Sequence, residues 1–251
     1  MKVYGLVGKK LSHSFSKAYF EKKFAAAQTS DCRYENFELP SIQNLSSLLK
    51  SRPEIRGLNV TIPYKEAVIP LLQHMDEKVK ATGACNCIRV EADGSLTGFN
   101  TDVTGFQNSL QKLLPAGIDK ALVFGTGGAS KAAQYALAKM GIAHRLVSSS
   151  GAENSLSYEQ IGEEMLRTHR LLVNTTPVGT WPAVDEKLPL PYQFLSPDNF
   201  LFDLIYNPEK TAFLEEGEKA GAGILNGYEM LVLQAEESWK IWNENDSTTL
   251  A

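Results

Sequence analysis

The sequence predicts an α/β fold in which most strands are parallel. Short apolar segments, each long enough for one buried strand, alternate with segments whose apolar residues recur at helical spacing. The alternation becomes stricter after Asp102, which indicates a second domain with its own parallel sheet. The length of 251 residues is sufficient for two domains of modest size or for one large domain, with enough chain to bury a core.

The first part of the chain combines short strands with short helices. Strands are expected at residues 2–7, 33–37, 57–61, 88–91 and 95–99. The last two strands flank Ala92-Asp93-Gly94, a turn sequence typical of a hairpin. Helices are expected at residues 17–27, 42–51, 65–72 and 77–81.

The second part of the chain resembles a nucleotide-binding sheet in its order of elements. Strands are expected at residues 121–124, 144–147, 171–173, 200–203 and 224–225. Helices are expected to begin at Asp102 and to cover 131–140, and Ser157-Tyr158-Glu159-Gln160 reads as a capping box that opens another helix. The final helix covers residues 227–242, and the polar residues 243–251 are expected to fray. In such a sheet a ligand binds beyond the carboxyl ends of the strands.

Composition argues against several classes of function. The net charge is −4, with no basic segment for nucleic acid or membrane surfaces, and no apolar run approaches the roughly 20 residues needed to span a bilayer. The first strand begins almost at Met1, so a signal peptide is not expected. Three cysteines, an odd number, favour the reducing cytoplasm over a disulfide scaffold. The four histidines are scattered without metal-ligand spacing, so no metal is expected.

A glycine-rich loop follows the strand at 121–124. It consists of Gly125, Thr126, Gly127, Gly128 and Ala129, and Ser130 takes the third fingerprint position, where glycine or alanine is usual. Glycines let the backbone approach a pyrophosphate, whose charge the following helix N-terminus stabilises. Such loops also occur without a ligand, so the loop alone does not establish dinucleotide binding.

Lys65 stands just after an apolar strand in the segment Asn59-Val60-Thr61-Ile62-Pro63-Tyr64-Lys65-Glu66. Pro63 fixes its own φ angle and suits the start of a helix, which predicts a turn from strand to helix at this point. A lysine held beside a polar ligand can exchange a proton, because burial or a neighbouring cation lowers the pKa of a lysine readily. For an isolated lysine the simpler interpretation is an ordinary surface residue.

Further segments make the pattern specific. They are Ser12-His13-Ser14-Phe15-Ser16, Gly83-Ala84-Cys85-Asn86-Cys87, Gly98-Phe99-Asn100-Thr101-Asp102, the glycine loop, Asn174-Thr175-Thr176-Pro177-Val178-Gly179, Asp203-Leu204-Ile205-Tyr206-Asn207-Pro208, and Gly227-Tyr228-Glu229-Met230-Leu231-Val232-Leu233-Gln234. From Met1 to about Trp242, this order and spacing resembles shikimate dehydrogenase, a family of NADP-dependent enzymes that reduce 3-dehydroshikimate to shikimate.

The resemblance implies a two-domain architecture. Residues 1–101 with about 228–251 would form a substrate-binding and catalytic α/β domain, and residues 102–227 a Rossmann-type, doubly wound dinucleotide-binding domain. The C-terminal helix would return to the first domain. The expected partners are the small-molecule substrate and NADP, without nucleic acid or membrane, and the expected assembly is a monomer or a homodimer in the cytoplasm.

The resemblance also implies roles for individual residues. Lys65 and Asp102 would be catalytic, with Lys65 exchanging the proton and Asp102 orienting it. The substrate contacts would be Ser14, Ser16 and Tyr206 at the carboxylate, Thr61, Asn86 and Asp102 at the ring hydroxyls, and Gln234. Leu204 and Gly227 would lie at the nicotinamide. Four of these residues have structural alternatives: a helix cap for Ser16 and Asp102, a backbone contact for Asn86, and an interhelical contact for Gln234.

This chain departs from the family pattern in three places. Ser148-Ser149-Ser150 stands where the family usually has Asn-Arg-Thr, so the arginine expected at the 2′-phosphate of NADP is absent and no acid replaces it. The three hydroxyls, with Lys131 or Arg145, would bind the phosphate instead, more weakly. Lys9-Lys10 replaces Asn-Pro, and Lys17 replaces a proline, which adds positive charge near the carboxylate end of the expected pocket.

The sequence is also compatible with two alternative functions. One is a related dehydrogenase that oxidises quinate or another cyclic hydroxy acid with NAD, which the missing arginine keeps open. The other is a non-catalytic ligand-binding protein on the same scaffold. Lys65, Asp102 and the glycine loop together argue against the second, because pure binding requires no proton-exchanging lysine beside a hydride donor.

Overall fold

The computed structural model describes residues 1–11, 15–149, 151 and 154–244. The chain divides into two compact units, which we call the first unit (Met1–Thr101 with the chain from Ala235) and the second unit (Asp102–Gln234). The second boundary falls at Gln234, inside the last helix, whereas the sequence places it near residue 228. The described part of the chain contains no helix that is long and apolar enough to cross a membrane.

The first unit contains a mixed sheet of six strands in the order β2-β1-β3-β5-β6-β4. The strands are β1 (Lys2–Gly8), β2 (Cys32–Glu38), β3 (Ile55–Val60), β4 (His74–Met75), β5 (Cys87–Val90) and β6 (Leu96–Phe99). Strands β2, β1 and β3 are parallel, while β5 and β6 form the expected antiparallel hairpin. The helices are α1 (Phe15–Ala26), α2 (Leu45–Ser51), α3 (Tyr64–Ala67) and α4 (Glu77–Thr82).

The second unit contains a parallel sheet of six strands in the order β12-β11-β10-β7-β8-β9. Its strands are β7 (Lys120–Phe124), β8 (Ala143–Val147), β9 (Ser155–Leu156), β10 (Leu171–Asn174), β11 (Phe200–Asp203) and β12 (Gly223–Leu225). The helices, two of which cross a boundary between the units, are α5 (Thr101–Gln111), α6 (Gly128–Lys139), α7 (Glu163–Thr168), α8 (Ala212–Lys219) and α9 (Tyr228–Asn243). This order is that of Rossmann-type domains, and it reverses between β7 and β10, which confirms the predicted nucleotide-binding fold.

Each unit has its own hydrophobic core. In β7, Leu122 and Phe124 belong to one buried cluster, whereas Ala121 and Val123 belong to another. Because alternate residues of a strand point to opposite faces, both faces of the second sheet are covered, as a parallel sheet requires. In the first unit, the indole nitrogen of Trp242 in α9 donates a hydrogen bond to the Ile88 carbonyl at 3.0 Å, which attaches the end of α9 to the first sheet.

The helix expected at 65–72 is interrupted. Residues Tyr64–Ala67 are α-helical, and a separate 3₁₀ turn follows at Ile69–Leu71. Pro70 has no amide hydrogen with which to continue the i→i−4 ladder, so the α-helix ends before it.

The capping box at residues 157–160 opens only a 3₁₀ turn, Tyr158–Gln160, in which Gln160 Oε1 accepts a hydrogen bond from the Ser157 amide at 2.8 Å. Ile161 then leaves the helical conformation and packs into the core with 5% exposure. Its burial accounts for the delay of α7 to Glu163.

Three of the strands and α-helices named above, β4, β9 and α8, were not expected from the sequence. Strands β4 and β9 have two residues each, too few to show a periodic pattern. Helix α8 carried a signal that was missed, since Thr211 caps it and its side chain accepts from the Leu214 amide. The fraying expected at residues 243–251 is wrong for the first two of them, since Asn243 is the last residue of α9 and the Glu244 amide donates to the Lys240 carbonyl at 2.9 Å. Residues 245–251 lie outside the described residues.

Asp203, at the end of β11, is a fully buried carboxylate that joins three segments of the second unit. Its Oδ1 accepts hydrogen bonds from Asn174 Nδ2 at 3.1 Å and from the Ile205 amide at 3.0 Å. Its Oδ2 accepts from the Thr211 hydroxyl at 2.6 Å. Burial raises the pKa of Asp203 to about 6, although all three hydrogen bonds favour the charged form.

We expect the contribution of Asp203 to stability to fall as pH rises from about 4 to about 6. The folded pKa is about 6. An unfolded aspartate has a pKa of about 3.9. Between these two pKa values the folded state keeps Asp203 protonated while the unfolded state does not, and this stabilisation is lost once the pH exceeds about 6. The free energy of unfolding is measured by urea titration for the protein and for Asp203→Asn. From about pH 4 to about pH 6, the value for the protein should fall by roughly 2–3 kcal/mol more than the value for the variant.

The control for this experiment is Asp185→Asn, because Asp185 is exposed. That variant should retain the pH dependence of the unmodified protein. A difference between the protein and Asp203→Asn that stays constant from pH 4 to pH 7 would contradict the assignment.

Candidate functional site

The turn that carries Lys65 is anchored to the first sheet. The Thr61 amide donates to the Val7 carbonyl at 3.0 Å, and the Tyr64 amide donates to the Thr61 carbonyl at 2.9 Å. The buried Tyr64 hydroxyl donates to the Leu39 carbonyl at 2.6 Å. Lys65 is half-buried in the single turn of α3, directly after this anchor. The strand-to-helix turn that the sequence predicts at Pro63 is therefore present.

The Cys85–Asn86 segment lies against the same turn. The Cys85 amide donates to the Lys65 carbonyl at 2.8 Å, and the Val60 amide donates to the Asn86 carbonyl at 2.8 Å. These two bonds bring Asn86 beside the end of β3. The structure thus places Thr61, Lys65 and Asn86 at one region of the first unit, although they are spread over 26 positions of the chain.

The Asn86 side chain is buried, with 3% exposure. Its Oδ1 accepts from the Thr101 amide at 2.7 Å, and its Nδ2 donates to Thr101 Oγ1 at 3.0 Å. Asn86 therefore satisfies the first amide of α5, which is the structural alternative for this residue. One amide hydrogen is not used by these bonds, so a donor remains for a ligand hydroxyl.

Cys85 and Cys87 are small buried residues at the start of β5, as their alternation around Asn86 indicates. Burial raises the pKa of the Cys85 thiol to about 12, so it remains protonated at neutral pH. Both cysteines are free. Within residues 1–11, 15–149, 151 and 154–244, no cluster of histidine, cysteine and acidic residues could hold a metal ion.

Ser16 lies inside the first turn of α1, which begins at Phe15, so it does not occupy the cap position. Burial raises the pKa of Tyr34 well above its usual range, and a hydrogen bond with the Ser16 side chain partly offsets this rise. Ser14 lies outside the described residues, and its expected role stays a prediction. Lys9, Lys10 and Lys17 are exposed, and Lys17 Nζ lies 3.9 Å from Glu21 Oε1.

The glycine loop of the second unit lies between β7 and α6, at the switch point of the sheet. Gly125 has a φ of +105°, and a Cβ atom there would lie 2.8 Å from Thr175 Oγ1, so only glycine fits. Fully buried Ser130 donates to the Gly125 carbonyl at 2.7 Å and braces the loop. The small residue required at the third fingerprint position therefore has a structural function in this chain.

This loop meets the requirements of a pyrophosphate site. A Cβ atom on Gly127 would have no described atom within 4 Å, so the backbone there is open to an approaching group. No described side chain caps the N-terminus of α6, which leaves its amides available to an anion. Thr126 is exposed, and Ala129 lies in the first turn of the helix.

Thr175 and Asn174 contribute to the same edge of the sheet, and the sequence had given them no role. The Thr175 hydroxyl donates to the Phe124 carbonyl at 2.6 Å, which joins the end of β10 to the loop after β7. The Asn174 side chain accepts from the Thr176 amide at 2.9 Å. The motif was visible in the sequence, but only the strand order shows that it adjoins the glycine loop.

Ser148 and Ser149 follow β8 directly, at the strand end where a Rossmann-type domain distinguishes its cofactors. Ser148 is buried with 7% exposure, and its amide donates to the Leu156 carbonyl at 2.9 Å. Ser149 is exposed. Ser149 is thus the accessible hydroxyl of the pair, and Ser150 lies outside the described residues.

Leu204, Tyr206 and Gly227 lie in hydrogen-bonded loops after β11 and β12. The Gly227 amide donates to the Ile205 carbonyl at 3.0 Å, and a Cβ atom on Gly227 would overlap the Leu204 carbonyl. The glycine is therefore required by the packing of the chain itself, and its contact with a nicotinamide stays a prediction. Burial raises the pKa of Tyr206, so its hydroxyl keeps its proton and can donate at neutral pH.

Asp102 lies in the first turn of α5 with 8% exposure. Because α5 begins at Thr101, the cap position belongs to Asn100, and the capping alternative for Asp102 is wrong. Asp102 lies at the positive end of the helix dipole. Gln234 is buried with 7% exposure, and its side chain donates to the Leu231 carbonyl of its own helix at 2.8 Å.

Comparison with known proteins agrees with these features. The family model for the shikimate dehydrogenase substrate binding domain matches residues 6–88. A relative named shikimate dehydrogenase (NADP(+)), from Caldicellulosiruptor saccharolyticus, is 34% identical, and the alignment covers 96% of this chain and 92% of that protein.

Two solved structures are similar over nearly the whole chain. Shikimate dehydrogenase from Aquifex aeolicus has a TM-score of 0.85 and 32% identity, covering 98% of this chain and 94% of that chain. Quinate dehydrogenase from Corynebacterium glutamicum, in complex with NAD, has a TM-score of 0.85 and 28% identity, covering 96% of this chain and 93% of that chain. On the identity and coverage of its relatives, the chain belongs to the shikimate dehydrogenase family.

Proposed function

We propose that this protein is a shikimate dehydrogenase that reversibly reduces 3-dehydroshikimate to shikimate with NADPH, as a step in aromatic amino-acid biosynthesis. The observation that carries the proposal is the combination of two features in one chain. The second unit presents a glycine loop at the switch point of a Rossmann-type sheet, and the first unit presents Lys65 on an anchored turn beside Asn86. Relatives with this name match almost the whole chain.

The residues divide the chemistry between proton and hydride. NADPH, when bound, supplies the hydride that reduces the ketone carbon of the substrate. Lys65 donates a proton to the oxygen of that carbon, and in the reverse direction it accepts the proton. Asp102 orients the lysine ammonium and a substrate hydroxyl. Thr61 and Asn86 bind ring hydroxyls, Asn86 through the amide hydrogen that Thr101 does not use.

The carboxylate of the substrate requires hydrogen-bond donors. Ser16 supplies a hydroxyl from the start of α1, Ser14 supplies a second hydroxyl, and Tyr206 supplies a phenol that remains protonated at neutral pH. Gln234 adds a contact from α9. Hydroxyl donors suit a carboxylate because hydrogen bonds to a charged acceptor are stronger than neutral ones.

The cofactor is held by the loop from Gly125 to Ala129, with Leu204 and Gly227 at the nicotinamide end. Ser148, Ser149 and Ser150 receive the adenosine ribose and the 2′-phosphate. Exposed Ser149 offers a neutral hydroxyl where the family offers a guanidinium. NADP remains the favoured cofactor, with lower affinity than an arginine would provide, and NAD is accepted as well.

The second candidate is an NAD-dependent quinate/shikimate dehydrogenase. Two observations favour it: the missing arginine, and the similarity to a quinate dehydrogenase solved with NAD. The first candidate is preferred because the more identical relative is NADP-dependent. We place either enzyme in the cytoplasm, because its three free cysteines favour a reducing compartment. We propose a monomer or a homodimer, as the family resemblance implies.

The function is tested by assaying the purified protein with shikimate or quinate and with NADP or NAD. Formation of reduced nicotinamide is followed by absorbance. Shikimate with NADP should give the highest kcat/KM. A preference for quinate with NAD would establish the second candidate, and no turnover with any pair would indicate a non-catalytic ligand-binding protein.

Lys65→Ala should lower kcat by about 100-fold or more, because the proton is exchanged only as hydride moves. The Kd for shikimate should change far less. Lys80→Ala is the matched control, because it removes an exposed lysine from α4 of the same unit. Near-normal turnover in Lys65→Ala would exclude the assigned role.

Ser149→Arg should lower the Kd for NADPH at least tenfold and leave that for NADH almost unchanged, since a guanidinium forms a charge-assisted contact with phosphate. Fluorescence titration at fixed ionic strength measures both constants. Gln193→Arg adds the same charge at another exposed position of the second unit and should change neither constant. If both affinities of Ser149→Arg rise together, Ser149 does not face the 2′-phosphate.

A further inference from the structure

A chain of polar side chains crosses the interior of the first unit. The Tyr34 hydroxyl donates to Asn59 Oδ1 at 2.8 Å, and Asn59 Nδ2 donates to Ser238 Oγ at 2.9 Å. Ser238 Oγ and Thr101 Oγ1 are 3.2 Å apart, and Asn86 Nδ2 donates to Thr101 Oγ1 at 3.0 Å. Each of these five residues is at most 5% exposed, so water does not substitute for the bonds.

Ser238 is the middle member of this chain and comes from α9, the last helix. It is completely buried, and it also hydrogen-bonds the thiol of Cys87. Packing alone does not require a hydroxyl at this position, since alanine would occupy the same helix face. The hydroxyl is explained by its partners, because Asn59 and Thr101 lie on different segments and share no direct bond among those described.

Both arms of the chain end on Asn86. Asn59 Nδ2 donates to the Asn86 carbonyl at 3.3 Å, while Thr101 holds the Asn86 side chain by its amide at 2.7 Å and by its hydroxyl. This arrangement orients the side-chain amide group of Asn86, because the Thr101 backbone N–H can bond only to an acceptor and therefore requires Asn86 Oδ1 to face it. The nitrogen, with its unused hydrogen, is left as the group offered to a ligand.

We propose that Ser238 is a positioning residue for substrate binding: its hydroxyl holds Asn59 and Thr101 so that the Asn86 side chain is fixed with its donor toward a substrate hydroxyl. The inference rests on the proposed function, in which Asn86 binds the ring. Ser238 does not touch the substrate. Without its hydroxyl, Asn59 Nδ2 would retain only the longer bond to the Asn86 carbonyl, and Thr101 would lose its link to α9.

The test is Ser238→Ala in the full-length protein. Loss of one buried hydrogen-bonded hydroxyl should raise KM for shikimate by about three- to tenfold, with kcat changed by less than about twofold. KM for NADP should not change. The matched control is Ser109→Ala, because Ser109 is a fully buried helical serine whose hydroxyl donates only to the Phe106 carbonyl of its own helix, at 3.0 Å.

A double-mutant cycle separates positioning from a general loss of stability. In an Asn86→Ala background, Ser238→Ala should raise KM for shikimate by less than about twofold, because the side chain it positions is already absent. If the two effects multiply in full, Ser238 does not act through Asn86. An unchanged KM in Ser238→Ala, even with a lower melting temperature, would assign it a structural role only.

If Ser238→Ala does not fold, Tyr34→Phe breaks the same chain at its Tyr34 end and should also raise KM for shikimate. Because the Tyr34 hydroxyl also hydrogen-bonds Ser16, Tyr34→Phe is tested in the Asn86→Ala background as well, where it should raise KM by less than about twofold. Two effects that multiply in full would contradict the inference. The control for Tyr34→Phe is Tyr192→Phe, which removes a hydroxyl that donates to the Leu188 carbonyl at 2.9 Å in the second unit. An unchanged KM in Tyr34→Phe would then overturn the inference. Failure of the unmodified protein to oxidise shikimate would instead contradict the proposed function, so the two failures are distinguishable.

Discussion

The hydrogen bonds of the Cys85–Asn86 segment are the constraint on which the candidate site of the first unit depends. The Cys85 amide binds the Lys65 carbonyl, and the Asn86 carbonyl accepts from the end of β3. The Asn86 backbone amide donates to the Phe99 carbonyl at 3.1 Å, and the Asn86 side chain accepts from the Thr101 amide at the start of α5. One buried segment therefore sets the positions of the lysine turn, the hairpin and the helix that begins at Thr101. Since a buried polar group left unpaired is costly, each bond restricts the others.

The second unit uses buried polar groups in a similar way, but at the ends of parallel strands. Thr175 joins β10 to the glycine loop, Ser130 closes that loop from α6, and Asp203 joins the loops after β10 and β11 to α8. Loops at the carboxyl edge of a sheet are free to vary in sequence, yet a binding loop must hold one conformation to be effective. Here the conformation is held by half-buried Thr175 and by Ser130 and Asp203, both of which are fully buried.

The departures from the family pattern occur mainly at exposed positions. Lys9, Lys10, Lys17 and Ser149 all face solvent, whereas Ser148 keeps a buried place beside Leu156. The buried hydrogen-bond framework around Asn86 and the glycine loop is complete despite these changes. This distribution supports retention of the reaction with an altered affinity for its charged ligands. Charges on exposed groups act weakly through water, so their effect on the fold is small.

Much of the fold was predictable because it depends on periodicity. Every strand of four or more residues overlaps a predicted strand, and the predicted nucleotide-binding fold was confirmed by the strand order of the second sheet. The elements that were missed or altered were those decided by one residue: Pro70 ends α3, and burial of Ile161 delays α7. Strands of two residues carry no period at all.

For the site, the sequence by itself determined which chemical groups are present: the lysine, the carboxylate, the hydroxyls and the glycine loop. Only the tertiary structure decided which buried partners orient them. Asn86 and Thr101 are 15 positions apart, and Asn59 and Ser238 are 179 apart. Neither separation has a local signature. Such pairs form because a buried donor must find an acceptor among whatever side chains the packing of the sheet and the last helix brings within reach.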